Sequence, residues 1–218
     1  MMKNYIQQNQ KKNKDFTISN IEVLIKDLPP SNISVENVVN RMLQLVPRKL
    51  LTNVKYIKVG QFQNLEKREI QAMYKDSTLY LTNAQIDEAD MLDDMVHEVA
   101  HSVEEIFNSQ IYGDKKIQNE FVSKREKLWT RLKDKEFHYP LDSFLDINFD
   151  RELDLFLHKK VGYDLLSMMT YDLFFSSYGS VSIREYFANG FEAFFLREET
   201  YRLKKISPYL YQKLKELV

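Results

Sequence analysis

The chain has 218 residues, of which 44% are hydrophobic and 13% aromatic, so it can bury a substantial core in one domain or two closely joined lobes. It contains no cysteine, which excludes disulfides, thiolate metal ligands and a cysteine nucleophile, so any metal would rest on His, Asp or Glu. Its 31 Lys and Arg against 32 Asp and Glu give a formal net charge of -1, which argues against nucleic acid or an anionic membrane as a partner.

The first part of the chain has mixed signals for helix and strand. Residues 1–15 are almost all polar, which predicts a mobile tail. Apolar side chains recur at helical spacing over residues 34–45, with Ser34 as a candidate N-cap. Alternating or β-branched residues then predict three strands, at residues 54–62, 69–74 and 78–82. This half is therefore expected to be α and β.

The second part of the chain has only helical patterns. A wide apolar face from about Asp90 to residue 107 predicts an amphipathic helix, and two more follow at residues 117–132 and 149–161. Ser182 and the pair Ser207-Pro208 are typical helix starts. The polar N-terminal residues form no secretory signal and no apolar stretch reaches the length of a membrane span, so a cytoplasmic protein is expected.

The motif that carries chemistry is His97-Glu98-Val99-Ala100-His101, within the helix expected from Asp90. Histidines four residues apart lie one turn apart on the same helix face, so both imidazoles can reach one ion. Glu98 then lies beside the ion without being a ligand, where a general base can take a proton from a zinc-bound water. The pattern predicts a metallopeptidase site with Zn2+ as its cofactor.

A catalytic zinc site usually has three protein ligands, so the chain must supply a third. A histidine six residues after the second is excluded, because position 107 is Phe. The residues alone leave five candidates open: Glu185, Glu192, His138, His158 and the acidic stretch 142–154.

Two segments resemble the gluzincin peptidases related to the catalytic domain of anthrax lethal factor and to the Pro-Pro endopeptidases. Residues 97–104, with Glu104 three positions after the second histidine, resemble the active-site helix of that family. Residues 185–191 resemble the segment that holds the family's glutamate ligand, and Tyr178 stands seven residues before it. The resemblance covers roughly residues 78–107 and 178–218, and leaves out the long segment 110–170.

The resemblance implies an α+β, zincin-like metallopeptidase with a small mixed sheet, an active-site helix and a mainly helical C-terminal lobe. It implies that His97, His101 and Glu185 bind zinc, that Glu98 is the catalytic base and that the Tyr178 hydroxyl stabilises the oxyanion. The expected lobes are residues 16–110 and 111–218 of one catalytic domain. The expected reaction is hydrolysis of peptide bonds in a protein or peptide substrate.

Each of these assignments has a structural alternative. Ser182-Ile183-Arg184-Glu185 reads as a capping box, in which Glu185 would serve its own helix start. The chain could also be a non-catalytic binding or structural protein of the zincin fold that retains its metal site. In this class an extended substrate can pair with an exposed strand edge, and residues 78–82 are the candidate strand, with an interior strand as the alternative.

Overall fold

A computed structural model describes residues 15–196 and 200–218 of the chain. Over these residues the protein is a mixed α+β fold with one small five-stranded sheet and a mostly helical remainder, which confirms the expected class at this level. The predicted mobile tail, residues 1–15, lies outside the described residues except for Asp15.

The strands of the described chain all precede residue 82, whereas its helices occur on both sides of that point. The strands are β1 (Phe16–Ile18), β2 (Ile21–Ile25), β3 (Tyr56–Val59), β4 (Ala72–Lys75) and β5 (Thr78–Leu81). The helices are α1 (Val35–Leu45), α2 (Gln63–Arg68), α3 (Glu88–Tyr112), α4 (Lys116–Asp134), α5 (Leu141–Leu145), α6 (Arg151–Leu155), α7 (Tyr163–Thr170), α8 (Ile183–Leu196), α9 (Thr200–Ile206) and α10 (Pro208–Leu217). A π-helical turn spans Phe156–Gly162, and short 3-10 turns span Arg48–Leu50 and Tyr178–Ser180.

The chain divides into two compact units, one ending at Ser102 and one beginning at Val103. The first unit contains the whole sheet together with α1, α2 and the first part of α3. The second unit begins within α3 and contains the remaining helices.

The sheet of the first unit has the strand order β1-β2-β3-β5-β4. The β2–β3 and β3–β5 pairs are parallel, whereas both outer strands run antiparallel to their neighbours. The strand expected to offer a free edge is therefore interior, because β5 lies between β3 and β4. The expectation that residues 78–82 form an edge strand is wrong, and β4 is the edge on that side.

One face of the sheet carries the core of this unit. Val23, Ile57, Val59, Leu79 and Leu81 are completely buried and alternate with more exposed residues along their strands. This alternation is what a sheet with one buried and one solvated face requires.

Two details of the sheet differ from the sequence expectation. The β1–β2 hairpin is an additional feature, and it turns at Ser19 and Asn20, which both have positive φ angles of 51° and 69°. Glu69, the expected start of a strand, instead ends α2 in the left-handed conformation with a φ of 54°. The strand after it starts only at Ala72.

The helix expected over residues 34–45 and the helix expected from Asp90 are both present. The Ser34 Oγ atom accepts a hydrogen bond from the Asn37 backbone N–H at 3.3 Å, which confirms Ser34 as the N-cap of α1. The helix expected from Asp90 is α3, which begins slightly earlier, at Glu88. It kinks at Phe107, whose φ and ψ angles are −100° and 16°.

The described residues of the second unit are helical, as the sequence predicts. An aromatic cluster of Phe121, Phe174 and Tyr186 forms part of its core, with ring centroids 5.5–6.1 Å apart. Across the described residues, no helix has the length and apolar character needed to span a membrane.

The helix expected over residues 149–161 is not a continuous α-helix. The Asp150 side chain accepts hydrogen bonds from the backbone N–H groups of Glu152 and Leu153 and starts α6. After Leu155 the backbone widens into the π-helical turn, which closes at Gly162 with a φ of 89°. α7 then follows directly.

Candidate metal centre

The motif residues His97, Glu98 and His101 lie together on α3. One potential ligand atom from each residue can be chosen so that all three lie within 4.8 Å of one another. The two imidazole rings are 5.2 Å apart between centroids and nearly perpendicular, at 81°. Two imidazoles and a carboxylate at this spacing can hold a metal ion.

The surrounding residues of α3 explain why these side chains stay in place. Met95, Val96, Val99 and Ala100 are completely buried, so the helix is packed on one side directly next to the motif. His97 is half-buried, whereas Glu98 and His101 are each 8% exposed. The site therefore combines limited solvent access with a rigid helical support.

The Glu98 carboxylate is fastened to the edge strand of the sheet. Its Oε2 atom accepts a hydrogen bond of 2.5 Å from the backbone N–H of Tyr74 in β4. Along an edge strand, the backbone groups of successive residues point alternately toward the neighbouring strand and away from it. The Gln71 carbonyl accepts a hydrogen bond from the Thr82 N–H, so Gln71 points toward β5. Tyr74 is three residues later, so its backbone N–H points away from the sheet. No sequence pattern indicates this bond, because its donor is a backbone group.

A second carboxylate, Asp94, stands one helical turn before the motif. Gln85 Nε2 donates a hydrogen bond to Asp94 Oδ2 at 2.9 Å. Burial raises the Asp94 pKa from 3.8 to about 6, although the Gln85 hydrogen bond opposes this rise. The charge of Glu98 contributes to the rise and that of His97 opposes it, so Asp94 is electrostatically coupled to the motif.

The other two predicted site residues belong to the second unit. Tyr178 starts the 3-10 turn before α8 and is 41% exposed. Glu185 lies in the first turn of α8 and is half-buried. Its backbone N–H donates to Ser182 Oγ at 3.3 Å, so the N-cap half of the expected capping box is present.

Glu104 has a polar environment of its own in the second unit. It is 4% exposed, accepts a hydrogen bond from the Tyr112 hydroxyl and lies 3.4 Å from Arg184 Nε. Burial, followed by the negative charge of Glu104, raises the Tyr112 pKa well above its ordinary value, and Glu185 adds to the rise. Glu104 and Glu185 therefore belong to the same electrostatic environment.

The two histidines outside the motif differ from each other. His138 is exposed, whereas His158 is half-buried and its Nδ1 atom lies 2.8 Å from Asp154 Oδ1. No motif surrounds either histidine in the sequence. The spacing of four residues between Asp154 and His158 is the one local signal for their pairing.

Comparison of the chain with protein-family models, with curated proteins and with solved structures found no match in any of the three. Function is therefore inferred from the geometry of the motif and from the sequence resemblance.

Proposed function

We propose that the chain is a zinc-dependent metallopeptidase with a zincin-like fold, which hydrolyses peptide bonds of a protein or peptide substrate. The observation that carries the proposal is the cluster of His97, Glu98 and His101 on one helix, with its ligand atoms within 4.8 Å. A helix that directs two imidazoles toward one ion, with a buried carboxylate beside them, has the two histidine ligands and the neighbouring base that a catalytic zinc site of this kind uses.

In this proposal His97 and His101 are two zinc ligands and Glu185 is the third. The donor set fits zinc, because neutral imidazoles and a carboxylate are the ligands this ion takes in the absence of thiolates. When bound, zinc polarises the substrate carbonyl and makes water more acidic. Support for Glu185 comes from the resemblance of residues 185–191 to the ligand segment of the gluzincin peptidases.

Glu98 acts as the general base. The Tyr74 N–H holds its Oε2 atom, so its other oxygen can take a proton from the attacking water. The hydroxyl of that water bonds to the carbonyl carbon, and Glu98 passes the proton to the leaving nitrogen as the C–N bond breaks. The Tyr178 hydroxyl donates a hydrogen bond to the oxygen on which negative charge develops.

The edge strand β4 is the place where we propose that an extended substrate pairs with the sheet. It is the outermost strand on its side of the sheet, and the carboxylate of Glu98 lies on its outer edge. A peptide aligned with this edge would be held next to the proposed base by main-chain hydrogen bonds to the outward groups that Glu98 does not occupy. This assignment replaces the interior strand β5.

The test compares the wild type with Glu98→Gln and His97→Ala, recording bound zinc and cleavage of a peptide library for each. The glutamine side chain of the first variant can still accept the Tyr74 hydrogen bond but cannot take a proton. We expect Glu98→Gln to retain zinc and lose at least about 100-fold in kcat/KM, and His97→Ala to lose both zinc and cleavage. His138→Gln, at an exposed histidine, should change neither.

The third ligand is tested by Glu185→Ala, with Glu192→Ala as the matched control. Both glutamates are half-buried and lie on α8, seven residues apart. We expect only Glu185→Ala to lower zinc content. If it retains zinc and only the melting temperature falls, then Glu185 serves its helix start and is not a ligand.

The same measurements distinguish a peptidase from a binding protein with the same metal site. A wild type that binds zinc at His97 and His101 but cleaves neither the library nor proteins of its own cell would contradict the peptidase proposal. It would favour a non-catalytic zincin-like binding or structural protein.

A further inference from the structure

The π-helical turn carries a histidine and lies outside the part of the chain that resembles known peptidases. This turn spans Phe156–Gly162 and follows α6 without a break. Single π-helical turns are uncommon and occur frequently at functional sites. Phe156 and Leu157 are both buried, so the turn is anchored in the core and the half-buried His158 is held beside them.

His158 is bound at one ring nitrogen by Asp154. The Nδ1 atom forms a hydrogen bond of 3.2 Å with the Asp154 backbone carbonyl oxygen. Asp154 Oδ1 lies 2.8 Å from the same nitrogen as a charge contact, outside hydrogen-bond geometry. A backbone carbonyl oxygen can only accept, so this hydrogen bond places the proton on Nδ1. The neutral imidazole then has its lone pair on Nε2, and the direction of the ring is set by the two contacts.

The ring of His158 lies against Tyr178, the residue proposed to stabilise the oxyanion. Their centroids are 6.4 Å apart and the planes are inclined by 46°. The two side chains are 20 residues apart in sequence, so only the path of the chain through α7 and the following loop brings them together.

The backbone of Tyr178 is held by separate contacts. The Ser176 hydroxyl donates a hydrogen bond to Asn189 Oδ1, which links this segment to α8. The backbone N–H of Gly179 lies 3.2 Å from the Ser176 carbonyl oxygen, and a Cβ atom at Gly179 would lie 3.5 Å from Asn189 Oδ1. These contacts locate the Tyr178 backbone, but they do not select the direction of its ring.

We propose that Asp154 and His158 are positioning residues that hold the Tyr178 ring in the direction required by the reaction. This inference rests on the proposed function. The Asp154 backbone carbonyl sets the tautomer of His158, and the adjacent Asp154 carboxylate favours the same Nδ1–H form. The imidazole in turn restricts the rotamers of Tyr178. A hydroxyl that must meet a developing negative charge gains from such restriction, because small misplacements of a catalytic group are costly.

The kinetic test uses His158→Gln and Asp154→Asn in the zinc-loaded protein. We expect His158→Gln to lower kcat by about 10-fold or more, with KM changed by less than about 2-fold and zinc content unchanged. Asp154→Asn should lower kcat by a smaller factor, because the backbone carbonyl that accepts from Nδ1 remains. His138→Gln is the matched control and should match the wild type. Equal activity of His158→Gln and wild type would overturn the proposal.

A double-mutant cycle with Tyr178→Phe separates positioning from general stability. If His158 acts through the Tyr178 hydroxyl, His158→Gln should cost less than about 2-fold in kcat once that hydroxyl is gone. A loss that is as large in the Tyr178→Phe protein as in the wild type would show that His158 does not act through Tyr178, and would overturn the proposal.

A readout independent of peptidase activity keeps the two proposals distinguishable. In substrate-free protein labelled at Tyr and His, NMR should show Nδ1–H as the main His158 tautomer. His158→Gln should shift the Tyr178 ring resonances, whereas His138→Gln should not. Unmoved Tyr178 resonances would refute the positioning contact even in an active peptidase. Moved resonances in an inactive wild type would establish the contact and refute the peptidase function.

Discussion

Arg125 is the largest of the completely buried side chains in the described part of the chain. It donates hydrogen bonds of 2.7 Å to the backbone carbonyl oxygens of Ser143 and Asp146, and its guanidinium lies 5.3 Å and 5.6 Å from the ring centroids of Phe121 and Phe144. The buried guanidinium charge is tolerated because the group donates hydrogen bonds to the two carbonyl oxygens and lies over two aromatic rings. One side chain therefore ties α5 and the loop after it to α4.

Arg125→Met should destabilise the protein by about 2–4 kcal/mol, because the two carbonyl groups lose charged donors while buried. Urea unfolding followed by circular dichroism measures this difference. Lys127→Met on the same helix, at an exposed lysine, should stay within about 0.5 kcal/mol of the wild type. A similar loss in both variants would contradict the role of the buried bonds.

Lys124 gives the stability of the protein a dependence on pH. Its ammonium donates hydrogen bonds of 2.6 Å to the Tyr186 hydroxyl and to Ser207 Oγ, and burial lowers its pKa from 10.5 to about 7, against the opposing effect of Glu120. Between pH 7 and pH 10.5 the unfolded chain therefore binds more protons at this site than the folded protein. The contribution of Lys124 to the free energy of unfolding therefore increases with pH over this range.

The expected result is that the unfolding free energy of wild type rises relative to that of Lys124→Met by up to about 1.4 kcal/mol per pH unit above about pH 7. Urea titrations at about pH 6.5, 8 and 9 measure the difference. If the unfolding free energies of the two proteins changed in parallel with pH, a Lys124 pKa of about 7 would be contradicted.

At the scale of elements, α8 and α10 pack so closely at one point that only a glycine fits. A Cβ atom added to Gly190 would lie 2.3 Å from Leu210 Cδ2. Leu210 is 1% exposed and belongs to α10, whose first turn is also held by Glu120 through hydrogen bonds to the backbone of Tyr209 and Leu210. The C-terminal helix α10 therefore packs against α8 with no room for a side chain at position 190.

Gly190→Ala should cost about 1–3 kcal/mol, because the added methyl group overpacks the contact. The double variant Gly190→Ala/Leu210→Ala should lose less stability than the two single variants together, since the truncated leucine makes room for the methyl group. Thermal melts of the four proteins test this. Strict additivity would show that the two residues do not share one packing contact.

The edge strand β4 gives a second prediction about an element. Tyr74→Pro removes the N–H group that binds Glu98, on an edge where proline is tolerated because the group points away from β5. We expect a largely retained fold and a fall in kcat/KM of about 10- to 100-fold, as for a lost hydrogen bond to a charged group. Met73→Pro, which opposes Tyr80 in the β4–β5 ladder, should instead lower the melting temperature.

For the whole molecule, a bound metal should appear as added stability. With no cysteine in the chain, the proposed ligands are two histidines and a glutamate. At a zinc concentration about 100-fold above Kd, mass action adds about 2.7 kcal/mol, which for a chain of this size raises Tm by roughly 5–10 °C. A chelator should remove this increment from the wild type and leave His97→Ala unchanged. An equal response in both proteins would contradict binding at the motif.

Much of the helical architecture could be predicted from the sequence, because its signals are local. Ser34 and Ser182 accept hydrogen bonds at helix starts, and Pro208 stands at the start of α10. The motif of α3 could be found for the same reason, since its residues lie within one turn and a half. A third ligand for the proposed zinc site could not be located in this way, because ligands from distant segments leave no periodicity in the sequence.

The features that the sequence does not predict depend on nonlocal or backbone interactions. Strand order places β5 inside the sheet, and no property of residues 78–82 alone distinguishes an interior strand from an edge. The Tyr74 N–H that holds Glu98 is a group present in every non-proline residue. The π-helical turn cannot be predicted from the sequence, because its buried apolar residues also fit one face of an α-helix. These residues are Phe156, Leu157 and Val161.

The π-helical turn at Phe156–Gly162 also sets the rotation of the helix that follows it. A π-helical turn holds about one residue more than an α-helical turn in the same length of helix, so it acts as a local insertion. Deleting Lys160, an exposed residue of the turn, would restore ordinary helical winding and rotate everything after it by about 100°. The direction in which α7 and the Tyr178 segment leave the turn therefore depends on the number of residues between Leu155 and Tyr163. In any relative of this chain, a change of one residue in that length would matter more than most substitutions within it.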